Sequence, residues 1–344
     1  MSKLKIIFSI VVLAILGAAA GSAYLGYLFY EPYSGETTTF TINRGDNFPA
    51  INGRLIKAGI IKSPRIFHRY AAFKNKMSSF KYGTYEIPSG AHMEKVLEIL
   101  TEGMPILEKI TIPEGKNLYE VAEIFAAKGI VNKNKFISLC KDQSLVKELT
   151  GTNAPSLEGY LFPDTYMLPP EIDEPGLIRV MVREFKRKTA DLKMDASFLS
   201  PHEVVILASI VEKETGAAWE RPTIAGVYLN RLKKRMRLQA DPTTIYGIWE
   251  RYNGNLRKRD LLEKTAYNTY KMSGLPLGPI ANPSLAAIEA VLNPKEHTYL
   301  YFVSKNDGTH VFTSTYADHN KAVDYWQRNR RNRQGKSWRD LKQK

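Results

Sequence analysis

The sequence predicts an α+β chain in three parts: an N-terminal transmembrane helix, a small βα module, and a larger mixed α+β domain. Three observations carry this. Residues 6–30 hold no charged side chain, a strand-turn-helix unit recurs through the first half, and past residue 150 capped helical patterns alternate with loops rich in Gly, Pro, Asn and Tyr. The 344 residues, 44% of them apolar, suffice for two or three modest domains and exclude a largely disordered chain.

The first element is the run Ile6 to Tyr30, IIFSIVVLAILGAAAGSAYLGYLFY, bounded by Lys5 and Glu31. It exceeds the ~20 residues that span a bilayer core as a helix. A cleavable signal peptide is the rival reading, because Ala18 to Ala23 offers small residues to a peptidase. The apolar run continues past that point, and Tyr24, Tyr27 and Tyr30 suit an interfacial belt, which favours an uncleaved signal anchor at 6–30. Lys3 and Lys5 precede it, so residues 1–5 are expected in the cytoplasm and the body outside, in the periplasmic or extracytoplasmic space. The net charge of +14 first suggests nucleic acid, but an exported body argues against that partner. The excess sits in Lys3 with Lys5, the run Arg231 to Arg237, and the tail from Arg328 to Lys344, which carry +2, +5 and +7. The single Cys140 rules out intrachain disulfides and Cys-built metal centres.

The next elements come from repetition. Shifting the chain by 70 lays TINRGDN (41–47) on TIPEGKN (111–117), and a shift of 25 lays Ile87, Pro88 and Gly90 on Ile112, Pro113 and Gly115. Each copy reads as a short strand, a Gly turn and an amphipathic helix, with Gly59 a natural C-cap. These are either common fragments with no shared role or copies of a small carbohydrate-binding module. The boundaries read as a module over 38–104, a second βα unit over 105–150, a main domain over 151–330, and a basic tail at 331–344.

The chemistry is expected in the main domain. In SPHEVVILASIVEKETG (200–216), Ser200, Pro201 and Glu203 make a capping box, and Gly216 is the expected stop. At 100° per residue Glu214 falls about 20° from Leu207 and 40° from Ile210, whereas Glu212 lies about 160° away from it. Glu214 thus belongs to the apolar face, where desolvation and the negative helix end raise a carboxyl pKa and suit a general acid. The alternative is a buried salt bridge from Glu214 to Arg221 or Arg231. Glu212 reads as a solvated edge. Three further segments, EGYLFPDTY (158–166), QADPTTIYG (239–247) and AYNTYKMSGLPLGPIANP (266–283), mix amides, hydroxyls and aromatic rings as a sugar cleft does. No HExxH or GxSxG pattern occurs, and His310 and His319 read as surface residues, so no metal and no cofactor are expected.

Taken together, the N-terminal span, EGYLFPDTY, LASIVEKET, YLNRL, RLQADPTTIYG, TAYNTY and GLPLGPIANP resemble the YceG/MltG family of endolytic murein transglycosylases over nearly the whole chain. The copy at 40–67 also resembles LysM-like units, which bind amino-sugar glycans. The resemblance implies a membrane-bound enzyme that cuts peptidoglycan strands internally, with the wall and its synthases as partners. It assigns the catalytic role to the glutamate of EKET that Thr follows, Glu214. Around it Gln239, Asp241, Thr243, Tyr246, Asn268, Thr269, Tyr270 and Asp164 are the expected substrate contacts, and Asp164 or Glu158 would orient the acid. The mechanism implied needs one carboxyl: Glu214 protonates the glycosidic oxygen, then takes the proton of the muramoyl C6 hydroxyl as that oxygen closes a 1,6-anhydro ring. A wall-binding scaffold and a hydrolase using Asp164 or Asp241 as second carboxylate remain alternatives.

Overall fold

A computed structural model describes residues 3–43, 45–170, 172–195, 198–214 and 216–329. The basic tail at 331–344 and Thr215 of the EKET motif therefore lie outside the described residues. The fold is mixed α and β, with the strands of the described residues confined to three two-stranded sheets, β1-β2, β3-β4 and β5-β6. It divides into two compact units. One holds the described residues up to Ile110 together with the 167–172 segment, and the other holds the 111–166 segment and the described residues from Asp173 on.

The first unit begins with α1 (Lys3–Tyr30), of which Ile7–Tyr30 is long and apolar enough to cross a membrane. Its last turn is anchored: Phe29 meets the Tyr70 ring edge-on at 4.9 Å, and the Tyr30 carbonyl bonds His92 Nδ1 at 2.7 Å. Then follow β1 (Thr38–Ile42), α2 (Phe48–Lys57), α3 (Pro64–Phe73), β2 (Gly83–Ile87), α4 (Met93–Glu102) and β3 (Glu108–Thr111). β1 and β2 run antiparallel with Phe40 opposite Tyr85, so two helices lie between two paired strands. Ile42, Leu55, Phe67, Tyr85, Ile87, Val96 and Leu100 fill the core.

The strand-turn-helix unit is present in all three copies. Gly45, Gly90 and Gly115 sit at φ 81°, 80° and 71°, a region open to glycine at no steric cost, and each turns the chain from a strand toward α2, α4 or the next helix. Gly59 ends α2 as expected, at φ 70° with Ile60 N donating back to Leu55 O at 3.0 Å.

The second unit comprises α5 (Leu118–Ala127), α6 (Lys133–Cys140), α7 (Gln143–Thr150), the first half of β4 (Thr165–Leu168), α8 (Glu174–Thr189), α9 (Pro201–Glu214), α10 (Arg221–Lys233), α11 (Asp241–Gly247), α12 (Lys258–Leu262), α13 (Leu285–Leu292), the hairpin β5 (Tyr301–Ser304) and β6 (His310–Thr313), and α14 (Tyr316–Val323). Most of the 105–150 segment, read as a second βα unit, falls in the same compact unit as α9. At the centre α9, α10 and α13 pack on one another. α9 buries every residue from Val204 to Val211, so it is a core helix and not the one-sided amphipathic helix the sequence suggests.

Candidate active site

The end of α9 is fixed from both directions. At its start Ser200 N and Oγ each donate to Glu203 Oε2 at 2.8 Å, the capping box expected. At its end the cap expected at Gly216 adjoins Thr215, outside the described residues. The last turn is tied by side chains. Lys213 Nζ donates to Gly115 O at 3.1 Å, and Glu212 accepts from Arg221 at 2.9 Å and from Ser284 N, the cap of α13, at 3.0 Å. The Glu212 side chain is only 5% exposed. It is a buried structural carboxylate, which corrects the reading of a solvated edge.

Glu214 is half-buried, and Tyr228 of α10 donates to its Oε1 at 2.6 Å. Burial pushes the carboxyl up to about 7. The Tyr228 hydrogen bond opposes that rise, the charge of Asp241 adds to it, and the Arg231 guanidinium draws it back. Among the described residues Glu214 forms no ion pair: Arg221 is taken by Glu212, and Arg231 is buried with its donors on the Leu300 and Leu238 carbonyls at 2.6 and 2.7 Å. Arg231 therefore does not belong to an exposed basic rim, unlike Lys233, Lys234, Arg235 and Arg237, which are exposed. A carboxyl that titrates near neutral pH, with one oxygen held by a tyrosine, beside an anion and near a cation, can donate a proton there.

Of the eight expected substrate contacts, Asp241 and Tyr270 lie close enough to Glu214 to interact with its charge. Asp241 is exposed and accepts from the Tyr270 hydroxyl at 2.6 Å, and Gln239 is exposed two residues earlier. Gln239 adopts φ 53°, a strained value for this residue type, with its N–H on Thr269 O at 3.3 Å. Thr243, Asn268 and Thr269 are wholly buried and bonded to one another's segments: Thr243 Oγ1 to Thr269 Oγ1 at 2.8 Å, Thr269 Oγ1 from Ala240 N at 3.0 Å, and Asn268 Oδ1 from Tyr270 N at 2.9 Å. They lock the 240–247 and 265–270 segments together and leave the cleft to their neighbours. Tyr246 faces a separate cleft beside Tyr267, at 4.7 Å between ring centroids. Asp164 bonds Thr165 N at 2.7 Å and pairs with Lys188 at 3.0 Å, a turn residue with no part in orienting Glu214.

Glu158 is likewise structural. Wholly buried, it accepts from Leu118 N at 2.9 Å and from Asn282 Nδ2 at 3.2 Å, and burial pushes it up to about 8. Asn282 is the hub that sequence reasoning missed: its Oδ1 takes Gly159 N and Leu161 N at 2.9 and 3.0 Å, while its Nδ2 reaches Lys116 O at 2.9 Å. The EGYLF and GPIANP motifs thus clamp each other and the turn before α5. His310 is buried too, with Nδ1 on Glu220 at 2.7 Å, and is not the surface residue expected. Spacings of 124 and 90 residues hide such pairs from any local pattern.

A family model described as the YceG-like family matches residues 40–325. An endolytic murein transglycosylase of Bacillus subtilis is 35% identical over 323 residues, covering 88% of this chain and 89% of that protein. One from Streptococcus pneumoniae is 31% identical over 362 residues, covering 93% of this chain and 65% of that longer protein. The crystal structure of a yceG-like protein from Listeria monocytogenes aligns with a TM-score of 0.57 at 31% identity, over 84% of this chain and 99% of that one.

Proposed function

The chain belongs to the YceG-like family, and from that membership and the setting of Glu214 we propose that it is a membrane-anchored endolytic murein transglycosylase with Glu214 as its catalytic acid. The observation that carries the role of Glu214 is its carboxyl, pushed up to about 7 by burial while the buried Tyr228 hydroxyl fixes one oxygen. Near neutral pH a large share of molecules hold the proton at that site. Glu214 gives it to the glycosidic oxygen between N-acetylmuramic acid and N-acetylglucosamine, and the C1–O4 bond breaks with positive charge developing at C1. The Glu214 carboxylate then takes the proton of the muramoyl C6 hydroxyl while that oxygen bonds C1. The bond broken and the bond formed balance, the acid is regenerated, and no water is consumed. Asp241, with Tyr270 on its Oδ1, supplies negative potential toward the developing cation. General acid–base assistance of this kind is worth about 10² to 10⁴ in rate.

The apolar helix α1 supports an anchor with residues 1–5 in the cytoplasm and both units outside. Two helices between paired antiparallel strands, with a Gly turn before each of α2 and α4, support a LysM-like glycan-binding role for 38–104. Wall synthases are the protein partners this reading implies.

Purified peptidoglycan digested by the wild-type chain and by Glu214→Gln, with products resolved by mass spectrometry, tests the proposal. The expected result is internal cleavage with 1,6-anhydro ends, slowed by at least about a hundredfold in the variant. Free reducing ends would mean hydrolysis, and undiminished cleavage by Glu214→Gln would remove Glu214 from the chemistry.

A further inference from the structure

Within the second unit lies a cleft of about 450 Å³ of which Glu214 is not a wall residue. Tyr119 of α5, Tyr246 of α11, Trp249 and Tyr267 line it, with Ser156, Lys141, Glu250 and Arg251 as polar lining, the last paired with Asp260 and Glu263. The four rings are half-buried, so protein covers only part of each and the remainder faces the cleft. Tyr119 and Trp249 are near-parallel, 15° apart in plane with centroids 6.1 Å apart, so the two rings share one orientation in the cleft lining. The adjoining side is rigid: Tyr246 meets Tyr267 edge-on, and its hydroxyl bonds the wholly buried Glu158. Lys141 donates from Nζ to the Tyr119 hydroxyl at 3.1 Å and lies 5.0 Å from the Tyr119 ring centre, so it helps orient that ring.

Among the described residues Lys141 and Glu250 of the lining have no ion-pair partner and offset each other in net charge, so the cleft favours neither sign of ligand, and its aromatic faces flanked by hydroxyl and backbone groups suit one with apolar ring faces and a hydroxylated rim. The place of the cleft narrows the ligand further. α11 begins at Asp241, whose charge acts on Glu214, and ends at Gly247 in the cleft wall, a rise of about 9 Å. A polymer cut at Glu214 extends over that distance.

We propose that this cleft is a second saccharide site, which binds an uncharged N-acetylhexosamine segment of the glycan strand away from the bond that is cut, with its pyranose faces on Tyr119 and Trp249. The identity of the ligand rests on the murein reading of the function. The site gives a processing enzyme purchase on a long strand that a short fragment lacks.

The test uses the full chain in detergent micelles with Trp219→Phe, Trp326→Phe and Trp338→Phe, so that Trp249 is the sole tryptophan. Chitotetraose is the probe, and Trp249 emission the readout. Saturable quenching is expected, with its midpoint raised about tenfold by Tyr119→Ala and kept within about threefold by Tyr119→Phe, as for loss of an aromatic anchor. Thermal unfolding of each variant shows that it is folded. Flat emission, or a Tyr119→Ala chain that titrates like its parent, overturns the site. The unmodified chain is assayed on peptidoglycan in parallel: cleavage with flat emission defeats only the second site, and quenching without cleavage defeats only the transglycosylase reading.

Discussion

Replacing Tyr228 by Phe removes the hydroxyl that donates to Glu214 Oε1 at 2.6 Å and leaves the ring in place. Tyr228 is 1% exposed, so water does not take over the lost donor. A hydrogen bond to a charged group is worth about 1.5–3 kcal/mol, and it favours the carboxylate over the carboxylic acid. Losing it raises the Glu214 pKa by at least about one unit, at 1.36 kcal/mol per unit. Since the acid must start protonated, wild-type kcat/KM is expected to fall as pH rises through about 7. In Tyr228→Phe that alkaline limb moves to about pH 8 or above, even if the maximal rate drops through looser positioning. The assay is release of soluble fragments from peptidoglycan between pH 5 and 9, fitted for the limb. A limb that stays in place or moves to lower pH refutes the role given to the Tyr228 hydroxyl.

The raised Glu214 carboxyl also ties stability to pH. Its carboxyl titrates near the ordinary glutamate value when unfolded and at about 7 when folded, so between those values each rise in pH favours the unfolded chain. Glu214→Gln is therefore expected to stabilise the protein by up to about 3 kcal/mol at pH 8 and not at pH 4, read from denaturant midpoints; equal effects at both pH values would contradict the shift. Glu212→Ala breaks a buried pair with Arg221 and frees the Ser284 cap, and a loss of about 3–5 kcal/mol should appear in the same measurement. Asn268→Ala strips donors from the Glu263 and Leu261 carbonyls, so unfolding shifts by about 2–3 kcal/mol while KM for glycan strands, measured on the folded fraction, stays put. A raised KM with unchanged stability would return Asn268 to the cleft.

Local chemistry made much of this fold readable from sequence. The uncharged run at 6–30, the glycine turns at 45, 90 and 115, and the Ser200–Glu203 cap each depend on residues a few positions apart, and each appears as expected. The helical wheel separates Glu214 from Glu212, but it assigns the wrong environment to Glu212, whose partners Arg221 and Ser284 are supplied by other elements. Composition alone does not separate a polar residue that meets a sugar from one that knits two loops. Asn268, Thr269 and Asn282 carry the groups of a cleft yet spend them on neighbouring backbone. The distant pair Glu220–His310 left no sequence signal of any kind.

The junction below the first unit governs how that unit is oriented. Only residues 31–37 separate α1 from β1, and within them Tyr33 is stitched to both Gly90 and Ala91, at 2.8 and 2.9 Å. With Phe29 docked on Tyr70 and His92 on the Tyr30 carbonyl, the helix enters the domain without slack. A helix joined to its own unit without slack passes any tilt directly to that unit, so the orientation of the first unit follows the axis of α1.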